Sequence, residues 1–154
     1  MLAALYFHVA AIGIVAPAVA DGRGWLLLTS GLAAQEPAPL AQVAIVAAVA
    51  ALAITRFGAA AWWRAALAGH VLSAVIVYAL IGLAGATEAA AEPDYGVSCV
   101  LGASFGALLT VKGAPRVIGV VGTLALLPLS LTWIGLEHPL SVAIGAAVTA
   151  WRRA

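Results

Sequence analysis

EPDYGVSCVLGASFGALL, residues 92–109, is the stretch on which the reading of this chain turns. An acidic, proline-containing loop runs directly into a segment of small apolar residues. Ser98 sits just inside the start of that segment, between Val97 and Cys99 and two residues after Gly96. Two readings open at once. Serine lets membrane helices approach closely, and Gly102 and Gly106, four apart, extend the same small-residue surface. A serine is also a nucleophile when an imidazole is placed to take its proton.

The composition says which solvent that segment meets. Of 154 residues, 65% are hydrophobic and 8% charged, whereas soluble domains average about 25% charged residues. So few charges cannot cover a water-soluble surface. The chain is therefore read as an all-α polytopic membrane protein, folded as one domain over residues 1–154. A net charge of +1 gives no reason to expect a nucleic-acid partner; the expected surroundings are the lipid bilayer and other membrane helices. One cysteine, Cys99, excludes an internal disulfide and a cysteine metal cluster. The sequence holds no GxGxxG, P-loop or HExxH motif and no paired intramembrane carboxylates, so no cofactor or metal is implied. The apolar run that ends at Ala20 lacks a basic leading region. It is expected to be a retained membrane helix rather than a cleaved signal.

A spanning helix needs about 20 apolar residues. Runs that meet or approach this lie at 2–20, 39–56, 61–85, 95–111, 116–133 and 135–151, separated by DGRG, QEPAP, RFG, TEAAAEPD, KGAPR and LEHP. The boundary between the last two, around Thr132–Glu137, is the least distinct. Charge then orients the spans. With the N-terminus inside, Arg56, Arg64, Lys112, Arg116, Arg152 and Arg153 fall on the cytoplasmic side, and only Arg23 outside. Asp21, Glu36, Glu88, Glu92, Asp94 and Glu137 all fall outside. An odd number of spans would scramble this separation, so six spans with both termini cytoplasmic are expected.

In that topology the fourth and sixth helices both start on the outer side. Ser98 is expected about one turn below the outer surface, given about 1.5 Å per residue. His138, near the start of the sixth helix, is expected at the same depth. An ionisable residue inside a membrane segment is a functional candidate by default. The other reading of His138 is a histidine bonded at the interface, for instance to Glu137. His70 and His8 are placed in the cytoplasmic halves of helices three and one, away from Ser98. They read as structural hydrogen-bonding residues, or less readily as a haem-ligating pair. Asp94 is a candidate cap for the fourth helix, Tyr95 an interfacial residue, and Trp62-Trp63 an interface anchor. Gly119 and Gly122 suit tight helix contacts.

Taken together, these residues resemble the rhomboid intramembrane serine proteases, and more closely the small rhomboid-like proteins of actinobacteria. Gly96-Val97-Ser98-Cys99 is similar to the family's GxSx motif, with Gly106 at a further glycine position. His138 followed by Gly145 resembles the sixth-helix motif. Trp25 and Thr29 resemble the W-x-x-x-T stretch after the first helix, and Arg56-Phe57-Gly58 the R-x-G turn between helices two and three. The resemblance implies a six-helix rhomboid-like bundle in a bacterial cytoplasmic membrane. It implies a dyad of Ser98 as nucleophile and His138 as base, cutting peptide bonds in the transmembrane segments of membrane-protein substrates. The oxyanion would be held by backbone N–H groups near Ser98, with Cys99 and Gln42 as the tentative contributors. The chain also departs from the pattern. The helix-two H-x-x-x-N positions fall at Ala38 and Gln42. The residue after the nucleophile is Cys99 rather than glycine. Gly102 stands where an aromatic often stacks on the histidine, and Ser141 at a small position after it. The alternative implied by these departures is an inactive rhomboid-like protein that binds membrane helices or partner proteins.

Overall fold

The computed structural model describes residues 22, 24–32, 34, 38–90, 92 and 95–151. Every regular element among them is helical. A short helix α1 (Leu26–Thr29) passes into a 3₁₀ turn at Ser30–Leu32. Two long helices follow, α2 (Pro39–Phe57) and α3 (Ala59–Ala84), then a single turn α4 (Thr87–Ala90). The chain continues through α5 (Val97–Leu109), α6 (Ala114–Leu126), 3₁₀ turns at Leu127–Leu131 and Ile134–Leu136, and α7 (Glu137–Trp151). Pro39–Phe57, Ala59–Ala84 and the continuous stretch Ala114–Leu131 are each long and apolar enough to cross a bilayer. Large apolar side chains, among them Leu72, Leu83, Val121 and Leu131, lie on the outside, where lipid is the matching solvent. The chain is a multi-pass, all-α membrane protein. The apolar run 2–20, with His8, lies outside the described residues.

Two glycines punctuate the helices. Gly58, at φ +81°, ends α2 with its N–H on the Ile54 carbonyl at 2.8 Å and starts α3 by accepting from Trp62 N–H. Gly113, at φ +82°, opens α6 by accepting from Arg116 N–H at 3.0 Å. A side chain at such φ values is strained, so these reversals select glycine.

The short helix α5 is the hub. Its thirteen residues extend roughly 20 Å, less than the roughly 30 Å hydrocarbon core of a bilayer. The other helices surround it, and Gly102 through Leu108 are all buried. Burial in protein is what permits a helix to end at such a depth, because its terminal backbone groups meet protein or enclosed water rather than lipid. Close approach comes from missing side chains. A Cβ at Gly106 would collide with the Val142 carbonyl of α7, and one at Gly145 of α7 with the Ala103 carbonyl of α5. Gly69 of α3 abuts Ala103 and the Ser141 carbonyl, joining a third helix to the same seam. Gly119 and Gly122 of α6 lie against the α5 backbone and the Phe105 ring.

Three expectations change here. The cap of α5 is Gly96, with no side-chain cap bond, and Asp94 lies outside the described residues. Trp62 is no interface anchor: it is buried, and its indole N–H donates to Ser104 Oγ of α5 at 3.0 Å. Only Trp63 is half exposed. The third correction concerns depth. His70, placed by sequence far from Ser98, has its ring against Gly96, two residues before the serine. The expectation placed Ser98 from the outer surface and His70 from the inner one, without comparing the lengths of their helices. Because α5 is half as long as the 26-residue α3, its N-terminus reaches the middle of α3 rather than its C-terminal end.

Candidate active site

Ser98 and His138 reach each other from different helices. Ser98 is the second residue of α5 and His138 the second of α7, and the crossing of these helices over Gly102, Gly106 and Gly145 brings both starts together. The Ser98 Oγ lies 2.9 Å from His138 Nε2. His138 Nδ1 lies 2.9 Å from the Gly135 carbonyl. A carbonyl only accepts, so in the neutral ring Nδ1 carries the proton and Nε2 is the acceptor. The Ser98 hydroxyl therefore donates to His138, although the Tyr95 carbonyl at 3.2 Å offers it a second acceptor. This is the geometry of a general base facing a nucleophile, with a backbone carbonyl in the orienting place that a carboxylate often takes.

The Gly135 carbonyl is aimed by the turn before α7. Pro128 cannot donate a backbone hydrogen bond, and the α6 stretch tightens to 3₁₀ geometry over Leu127–Leu131 and breaks at Thr132, in extended conformation. Thr132 Oγ1 then accepts from Gly135 N–H at 3.0 Å. Gly135 itself is pressed against the Leu129 carbonyl, where no Cβ fits.

A cavity of about 540 Å³ holds the pair. Gln42 of α2, exposed Glu92, Tyr95 and Thr132 contribute to its wall, together with apolar side chains such as Ile45, Leu101 and Leu129. Gln42 thus shares the cavity with Ser98, whereas Ala38, at the other helix-two position, has nothing to donate beyond its backbone. Cys99 is a poor oxyanion donor in this arrangement. Its N–H is bonded to the Gly96 carbonyl at 3.0 Å, and its buried thiol donates to Glu137 Oε2 at 3.3 Å. The N–H groups of Val97 and Ser98, in the first turn of α5, belong to the set that an α-helix leaves without intrahelical partners.

Glu137 is only 1% exposed. Its Oε2 accepts from Cys99, and His138 Nδ1 bonds the Gly135 carbonyl rather than the Glu137 side chain of the alternative reading. Gly102 is enclosed by Ser141 Oγ and the His138 carbonyl, and Ser141 Oγ donates to that carbonyl at 2.8 Å. No aromatic ring has room at position 102. Trp25 is largely exposed, and Thr29 N–H closes the α1 turn onto its carbonyl at 3.3 Å.

Several of these partners carried no signal in the sequence. The Gly135 carbonyl is a backbone atom without residue identity. Ser30, which bonds His70 Nε2 at 2.9 Å, lies forty residues from its partner in an unremarkable run of small residues. Comparison with protein-family models, with curated proteins and with solved structures gives no match, so the chemistry of this site is argued from its own atoms.

Proposed function

We propose that this chain is a rhomboid-type intramembrane serine protease, a six-span bundle with both termini on the cytoplasmic side of a bacterial plasma membrane. The observation that carries the reading is the Ser98 Oγ–His138 Nε2 hydrogen bond inside a cavity, with Nδ1 committed to a carbonyl. In this mechanism Ser98 Oγ attacks the carbonyl carbon of a substrate's transmembrane segment while its proton passes to His138 Nε2. Negative charge gathers on the substrate oxygen, which the N–H groups at the start of α5 and the amide of Gln42, a residue of the cavity wall, would stabilise. His138 then returns the proton to the leaving amine. A water, deprotonated by the same nitrogen, attacks the acyl carbon, and the departing Ser98 oxygen takes that proton back from His138. The test is covalent labelling of the purified protein by a fluorophosphonate, beside Ser98→Ala and His138→Ala. The reading requires labelling of the wild type and its loss in both variants.

One set of observations favours a second reading, a non-catalytic rhomboid-like protein that binds membrane helices. With Ala38 lacking a donor side chain and the Cys99 N–H engaged by Gly96, Gln42 is the principal side-chain candidate to stabilise an oxyanion. Losing one such donor typically costs about 10²–10³ in kcat. A well-folded wild type that resists the probe, under conditions where a known rhomboid labels, selects this second reading.

A further inference from the structure

His70 is one of the most deeply buried polar groups among the described residues, 1% exposed at the middle of α3. Its ring is a wedge between two segments that hold no side chain at the point of contact. On one side is Gly31, where a Cβ would stand 3.0 Å from His70 Cδ2; on the other is Gly96, where a Cβ would overlap the ring. Ser30 Oγ, itself 2% exposed, bonds Nε2 at 2.9 Å and fixes the ring's rotation. Gly96 is the cap of α5 and accepts from both Cys99 N–H and Val100 N–H. Its position therefore sets where the first turn of α5 begins, and Ser98 projects from that turn.

We propose that His70 is a positioning residue for Ser98. Anchored by Ser30, its ring is the stop against which Gly96 seats, and it thereby fixes the height and rotation at which Ser98 Oγ meets His138. The inference rests on the proposed dyad for its catalytic consequence, while the positioning itself is measurable without catalysis. Removing the ring leaves Gly96 free to settle inward and draws Ser98 away from Nε2. A misplacement of about 1 Å is enough to cost about 10²-fold in rate.

The experiment uses the detergent-purified full chain, with ¹⁵N-labelled histidine and a fluorophosphonate probe. His138 Nε2 resonates differently when it accepts from a hydroxyl and when it does not, and Ser98→Ala supplies the reference for the lost bond. In His70→Ala the His138 Nε2 resonance is expected to move to the Ser98→Ala position. The maximal labelling rate is expected to fall about 10²-fold, with the half-saturating probe concentration unchanged. Ser30→Ala, which leaves the ring in place without its hydroxyl partner, is expected to shift the resonance part of the way, and it carries the test if His70→Ala does not fold. Gly96→Ala is expected to disrupt the pair by pushing on the ring, and His70→Ala in the same chain to restore part of what Gly96→Ala loses. A wild-type His138 resonance in both His70→Ala and Ser30→Ala overturns the proposal. An unlabelled wild type overturns the protease reading alone, since the resonance still reports whether His70 positions Ser98.

Discussion

Gly102 is the residue through which the site is most easily disturbed without touching the dyad. A methyl there meets Ser141 Oγ and the His138 carbonyl. On the proposed mechanism Gly102→Ala shifts His138 and lowers the fluorophosphonate labelling rate by at least about tenfold, since sub-ångström placement governs reactivity. Ser141→Gly in the same chain removes the obstructing hydroxyl and is expected to recover part of the loss; no recovery would place the damage elsewhere. Gln42→Ala tests the oxyanion assignment separately. It is expected to reduce turnover by about 10²-fold while leaving the His138 resonance unchanged. Ser98 and His138 were legible as candidates because their residue types announce their chemistry and their helices start on one side. The Gly135 carbonyl was not legible, and neither was the fate of the Cys99 thiol, whose partner Glu137 only the folded chain brings near.

Between elements, the α5–α7 seam sets how close Ser98 and His138 come. Gly106→Ala puts a methyl into the Val142 carbonyl, and backbone cannot swing aside as a side chain can. Overpacking of this kind costs about 1–3 kcal/mol, so thermal unfolding in detergent is expected to show a clear loss of stability. Trp62→Phe is a milder change at the α3–α5 contact. It removes the bond to Ser104 and is expected to cost about 1 kcal/mol, the net worth of one such bond; an unchanged midpoint would mean the indole N–H is not a stabilising contact. Small residues spaced by four made the tight seam readable in advance. Helix length misled. A hydropathy run shows that a segment is apolar, not where its ends lie in depth, and the shortness of α5 is why Gly96 begins at the level of His70.

On the proposed topology, the basic residues orient the whole molecule in the membrane. In a Cys99→Ala background, Glu88→Cys is expected to react with a membrane-impermeant maleimide added outside intact cells. Lys112→Cys is expected to react only after the membrane is opened. The opposite pattern would invert the topology and move the site cavity to the cytoplasmic face. At this scale composition alone announced a multi-pass α-helical protein, whereas the packing of the helices around α5 needed coordinates. The turn ahead of α7 carries a genetic consequence. A carbonyl oxygen is encoded by every codon, so no missense change deletes the group that selects the tautomer of His138. On the proposed mechanism, a saturation screen for function would find Ser98 and His138 intolerant with no acidic residue as the orienting third member. The information that a catalytic aspartate would hold in one codon is instead spread over Pro128, Thr132 and Gly135, whose shapes aim the oxygen, and their intolerance is the trace by which such a site is recognised in mutational data.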